Sequence, residues 1–197
     1  MSVWKLLTAR WGSGSGEIDD VRIDAVSSSL QTITTAHHEI HDGDHYFVFG
    51  AQDLAVNNVL DFTWQMPDST TWIHWLWDID SEGEMLWRVY EGATIINPLA
   101  NTATPLNSNR NSNNTSVTTM RYEIQTDLTA ANADTSVGGA TLISSGTTGS
   151  GKKLGGVASR DSELILKQNT VYCMRAIANE AGYINYQMQW YEHANHH

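Results

Sequence analysis

Apolar residues recur at every second position through most of the chain after residue 45. Leu60, Phe62, Trp64 and Met66 alternate with Asp61, Thr63 and Gln65, the period of a strand with one buried face, and Pro67-Asp68 closes it. Ile73, Trp75, Trp77 and Ile79 repeat the pattern. Here Trp72, His74 and Leu76 make the second face mostly apolar too, so this strand belongs in the middle of a sheet or against a subunit neighbour. Met85, Trp87 and Val89 oppose Leu86, Arg88 and Tyr90 in a further strand. Met120, Tyr122 and Ile124 share one face of a strand at 117–124, and Ala140-Thr141-Leu142-Ile143 is a short one. Tyr172, Met174 and Ala176, then Ile184, Tyr186, Met188 and Trp190, read as the two arms of a hairpin turning at Asn179-Glu180-Ala181-Gly182. Seven to nine strands with turn signals between them and almost no helix predict an all-β protein, an antiparallel β-sandwich or jelly roll.

Ahead of this core lies an extended N-terminal arm. Trp4, Leu7 and Trp11 have helix-like spacing, and Gly12-Ser13-Gly14-Ser15-Gly16 after them is linker composition. Residues 21–25 and 30–34 read as two short strands, a possible hairpin. The chain therefore divides into an arm at 1–35 and a sandwich domain at 36–197. The apolar side chains of Trp4, Leu7 and Trp11 have no obvious core of their own and are candidate interface residues, as are Lys152 and Lys153 in the loop-rich stretch 125–160.

Charge narrows the classes. Asp and Glu total 22 against 11 Lys and Arg, a formal net charge of -11 over 197 residues. That composition lacks the basic footprint of a nucleic-acid binder and does not suit an anionic membrane surface. No apolar run reaches the length of a membrane span, and the first residues lack the apolar stretch of a signal peptide. The single cysteine, Cys173, leaves no intrachain disulfide, which fits synthesis in a reducing cytosol. Its neighbours Val171, Tyr172 and Met174 predict a buried thiol in a strand.

Several stretches look like chemistry and lose it on inspection. His37, His41 and His45 recur every four residues, the spacing of one helical face. But Asp42-Gly43-Asp44 is poor helix material, and His38-Glu39-Ile40-His41 is one residue short of the zinc protease motif. Residues 36–49 are expected to be a polar turn running into a strand. Asp78-Ile79-Asp80-Ser81-Glu82-Gly83 resembles the start of a calcium loop, yet the position that needs a bidentate Glu holds Val89, so an acidic hairpin turn is expected. Gly146 through Lys152 satisfies most of a phosphate-binding loop, but Lys153 stands where Ser or Thr would hold magnesium. Residues 97–116 form a polar stretch longer than the connections usual in compact domains, with glycosylation sequons at Asn113 and Asn114. No metal or other cofactor is expected.

Function is read in three classes. As an enzyme the chain is weak: carboxylates such as Glu82, Glu84 and Glu91 are plentiful, but no nucleophilic triad emerges. A glycan-binding module of a virion or cell surface is the alternative reading, with Trp and Tyr rings as platforms, although most tryptophans alternate as core residues do. The third class rests on a resemblance. Ordered blocks run from Val21-Arg22-Ile23-Asp24 and Leu30-Gln31-Thr32-Ile33 through Ala36-His37-His38-Glu39-Ile40-His41-x-Gly43-x-His45-Tyr46-Phe47 and Asn107-x-Asn109-Arg110-Asn111-Ser112. They continue with Gly151-Lys152-Lys153-x-Gly155-Gly156, Leu166-Lys167-Gln168-Asn169-Thr170 and Trp190-Tyr191-Glu192-His193. In this order they resemble a family of tailed-bacteriophage head decoration, or cement, proteins. The resemblance implies a structural protein made in the host cytoplasm. It would cluster on the capsid exterior, often as a homotrimer, with the major capsid protein as partner and no catalytic motif.

Overall fold

The computed structural model describes residues 35–126, 134–149 and 163–194. Trp4, Leu7, Trp11, Lys152, Lys153 and the expected strands at 21–25 and 30–34 lie outside the described residues.

The first described element corrects an expectation. Residues Thr35–Asp42 form a helix, α1, where a turn was expected. Asp42-Gly43-Asp44 does not break this helix; it ends it. Gly43 takes φ 81°, its N–H donates to Ile40 O at 3.2 Å, and the Asp44 N–H donates to Glu39 O at 2.9 Å. That pair of bonds is the Schellman cap, which needs a left-handed residue and therefore favours glycine. Packing of α1 against the first and last described strands supports so short a helix.

Strands follow in the order β1 (His45–Leu54), β2 (Val59–Gln65), β3 (Thr71–Ser81) and β4 (Met85–Glu91). A long insertion then carries the short strands β5 (Thr94–Ile95), β6 (Asn101–Ala103), β7 (Leu106–Asn107), β8 (Met120–Gln125) and β9 (Thr135–Ser136). The chain ends with β10 (Thr141–Thr148), β11 (Leu164–Leu166), β12 (Val171–Ala178) and β13 (Gly182–Ala194). The pairing is nested: β1 with β13, β2 with β12, β3 with β11 and β4 with β10, all antiparallel. That is one long hairpin rolled up on itself. Side-by-side pairing of β3 with β13 and β4 with β12 closes the roll into two sheets, β11-β3-β13-β1-β7 and β10-β4-β12-β2-β8-β6. The expected sandwich is present, with the order of a jelly roll.

Rolling explains two misread connections. β12 and β13 are not a hairpin, because they lie in opposite sheets and the 179–181 turn crosses between them. The acidic segment is not a hairpin turn either. β3 runs on through Ser81, leaving Asp78 and Asp80 as exposed strand residues, and Glu82-Gly83-Glu84 crosses to β4 in the other sheet.

The inward faces are the ones the alternation marks. Leu60, Phe62, Trp64, Ile73, Trp75, Trp77, Ile79, Met85, Trp87, Met174, Met188 and Trp190 share one core. Its aromatic centre has Trp64 and Trp75 rings 4.6 Å apart and Phe62 edge-on to Tyr186 at 4.6 Å, geometries that add to burial. Five tryptophans thus serve the core.

The two outer faces differ. The six-stranded sheet is capped by the chain itself, through the β5–β9 pair and its flanks. Under this cap Asp61, fully buried, accepts two hydrogen bonds from Arg175, both at 2.7 Å, while Arg175 Nη2 also donates to Thr135 O at 3.0 Å. Burial pushes the Asp61 carboxyl up, and the guanidinium pulls against it. Cys173 lies fully buried alongside, as expected, its thiol pushed well up chiefly by desolvation and then by Asp61, which removes thiolate reactivity.

Candidate functional site

The outer face of the five-stranded sheet is graded along its strands, and the registers give its rows. Nearest α1, His74 of β3, Tyr191 of β13 and His45 of β1 stand side by side. The next row is Leu76, Gln189, Phe47 and Leu106. After it come Asp78, Gln187 and Phe49, then Asp80, Asn185 and Ala51.

The first row is covered despite facing outward. His74 Nδ1 lies 2.7 Å from Glu163 Oε1, the Tyr191 hydroxyl donates to the same oxygen at 2.7 Å, and His74 Nε2 lies 2.8 Å from His193 Nε2. The Tyr191 ring stacks on His74 at 4.4 Å. A carboxylate holding an imidazole in one orientation is a device shared by catalytic and metal sites. Among the described residues, however, no cluster of three or more His, Cys, Asp or Glu is arranged to hold a metal ion. The three histidines of helical spacing do not form one helical face: His37 and His41 belong to α1, and His45 to β1, where its Nδ1 meets Ser108 Oγ at 2.7 Å.

The second row is partly covered, with Leu76 buried and Phe47, Gln189 and Leu106 half-buried, and beyond it the face is bare. Phe49 is 65% exposed and stacks on Phe47 at 6.0 Å. Asp78, Asp80, Asn185, Gln187 and Ala51 are exposed beside it. Together with Gly50 and Tyr186 they line an open groove of about 630 Å³, within the volume range of small-ligand sites. Gly50 makes room for the Tyr186 hydroxyl, which a side chain there would strike. Burial pushes that hydroxyl's pKa up, so at neutral pH it is an uncharged donor.

A second feature occupies the α1 end. Asn107, buried, donates to Gly43 O at 2.7 Å and Asn114 O at 3.3 Å; Asn109 donates to His41 O at 3.0 Å; Asn114 donates to Asp44 Oδ1 at 3.1 Å. Glu192 completes the clasp. Its carboxylate accepts from Ser116 Oγ, from Val117 N–H at 3.0 Å and from Trp190 Nε1 at 2.9 Å, while its own N–H donates to Asp44 O at 2.9 Å. The histidine-rich segment, the asparagine-rich loop and the end of β13 thus form one polar pole.

Sequence reasoning reached the strands of this face but not their adjacency. The sequence places Phe47 and Phe49 at the start of a strand, Asp78 and Asp80 in an acidic turn, and Asn185 and Gln187 between the apolar positions Ile184, Tyr186 and Met188. The missed signal is Phe47 and Phe49 recurring at period two, with Val48 between them already claimed by the core. Comparisons of the chain with family models, with curated proteins and with solved structures return no match.

Proposed function

We propose that this protein is a non-catalytic virion component that decorates and stabilises a phage capsid exterior, acting as a homotrimer on the major capsid protein. The observation that carries the reading is the polar pole. Three blocks on which the resemblance rests, around His37 to Phe47, Asn107 to Ser112 and Trp190 to His193, are far apart in the chain and meet at the first of them, where Asn107 donates to Gly43 O, Asn109 to His41 O and the Glu192 N–H to Asp44 O. A fourth, Leu166 to Thr170, is the β11–β12 turn, with Asn169 at φ 51° and the Lys167 N–H held by the Tyr172 hydroxyl at 2.8 Å. Blocks that build one structural unit support a shared architecture better than scattered short matches do.

In this reading the arm holding Trp4, Leu7 and Trp11 supplies the anchor, because its sequence sets large apolar residues ahead of a Gly/Ser linker and exposed apolar groups mark contact sites, with Lys152 and Lys153 as local basic contacts on an acidic chain. Three arms acting together would raise a weak individual contact to firm attachment. Deleting residues 1–16 should abolish co-sedimentation with capsids and leave the circular dichroism and unfolding midpoint of the sandwich unchanged. Full retention of capsid binding by the deleted protein would contradict the anchor assignment.

A further inference from the structure

We infer that the groove on the bare half of the five-stranded sheet is a binding site for neutral saccharides. A sugar ring offers two surfaces: an apolar face of C–H groups and a rim of paired hydroxyls that donate and accept. Recognition therefore needs an exposed aromatic plane beside planar side chains able to do both. The groove supplies these on three adjacent strands. Phe49 on β1 is the exposed plane, backed by its stacking on Phe47. Asn185 and Gln187 on β13 form the floor, and their amides carry both donors and acceptors. Asp78 and Asp80 on β3 form the opposite wall, and carboxylates accept from vicinal hydroxyls.

Placement on paired strands fixes the spacing of these groups by the sheet registers, Asp78–Gln187–Phe49 and Asp80–Asn185–Ala51. A rigid platform limits the ordering cost of binding. Ala51, small and exposed next to Phe49, leaves room over the floor for a ring.

Charge selects among sugars. Two carboxylates line the groove on a chain of net charge -11, so sialylated or uronate-containing glycans would be repelled. The same carboxylates would attract a basic peptide. The amide floor and the shallow open shape favour the neutral, hydroxyl-rich ligand, which needs many moderate hydrogen bonds and little enclosure. The groove lies toward the far end of the sheet from α1. The site is independent of the capsid reading and is tested apart from it.

The test is NMR titration of the full chain with maltohexaose, cellohexaose, a linear β-1,4-mannan hexamer and a linear β-1,4-galactan hexamer. Hexagalacturonate and an arginine-rich decapeptide are the controls. Binding of at least one neutral hexamer is expected, with shifts at Phe49, Asn185 and Gln187. Phe49→Ala and Gln187→Ala should each weaken it about tenfold without moving the unfolding midpoint, because both side chains are exposed. Capsid co-sedimentation of these variants should be unchanged. Three results would each overturn the proposal: no neutral hexamer binding at millimolar concentration, binding indifferent to both substitutions, or stronger binding of either control.

Discussion

At Gly43 the backbone holds φ 81°, and a Cβ there would collide with the Ser112 side chain. The left-handed conformation and the close approach each argue for glycine. Gly43→Ala should cost about 1–3 kcal/mol, read as a lower urea midpoint. Asp61 makes a stronger demand. Its removal would leave Arg175 buried under the β5–β9 cap without a counter-charge, and Asp61→Ala should cost about 3–5 kcal/mol in the same measurement. Glu91 gives a pH dependence. The hydrogen bond from Lys167, more than that from Tyr172, holds its carboxyl below the ordinary 4.5. These contacts therefore stabilise the fold above that value, and the contribution is lost as pH falls through the folded-state value. Glu91→Gln should be less stable than the parent at pH 7, and the gap should close in strong acid. A gap that persisted there would exclude the ionised contact as its source.

At the scale of elements, the insertion between β4 and β10 does most of the tying. It extends both sheets through β6, β7 and β8, caps one outer face through β5 and β9, and reaches the pole through Asn107 and Asn114. Glu192 is its latch. Glu192→Ala would strip Ser116, Val117 and Trp190 of a shared acceptor; the buried Trp190 indole N–H would keep only its 3.3 Å bond to Ser116 Oγ, and weakening a buried donor's bond costs about 1–3 kcal/mol. Amide exchange at 113–118 should accelerate while that of β2 and β12 stays slow; uniform acceleration would mean that the latch supports the whole sandwich. The inward faces of β2, β3, β4, β12 and β13 were legible in sequence because burial imposes period two on each strand separately. Sheet membership was not. The residues at 82–84 and 179–181 are ordinary turn residues, and such a turn serves equally for strands that pair and strands that face each other. Asp42-Gly43 hid a helix for a similar reason, since a left-handed glycine ends a helix as readily as it makes a turn. The groove was illegible because its six exposed side chains come from three strands whose adjacency depends on the roll.

At the scale of the molecule, the described residues form a jelly roll with one outer face capped by the chain and the other bare over half its length. The trimer proposed for it predicts a sedimentation-equilibrium mass three times that of one chain, and a monomer at high micromolar concentration would remove the symmetric clustering. Attachment is the central claim, and it is tested most directly by mixing purified full-length protein with cognate capsids that lack it, then pelleting the particles. The account predicts saturable co-sedimentation at a fixed number of copies per capsid, in multiples of three. No protein in the pellet at saturating concentration would contradict it.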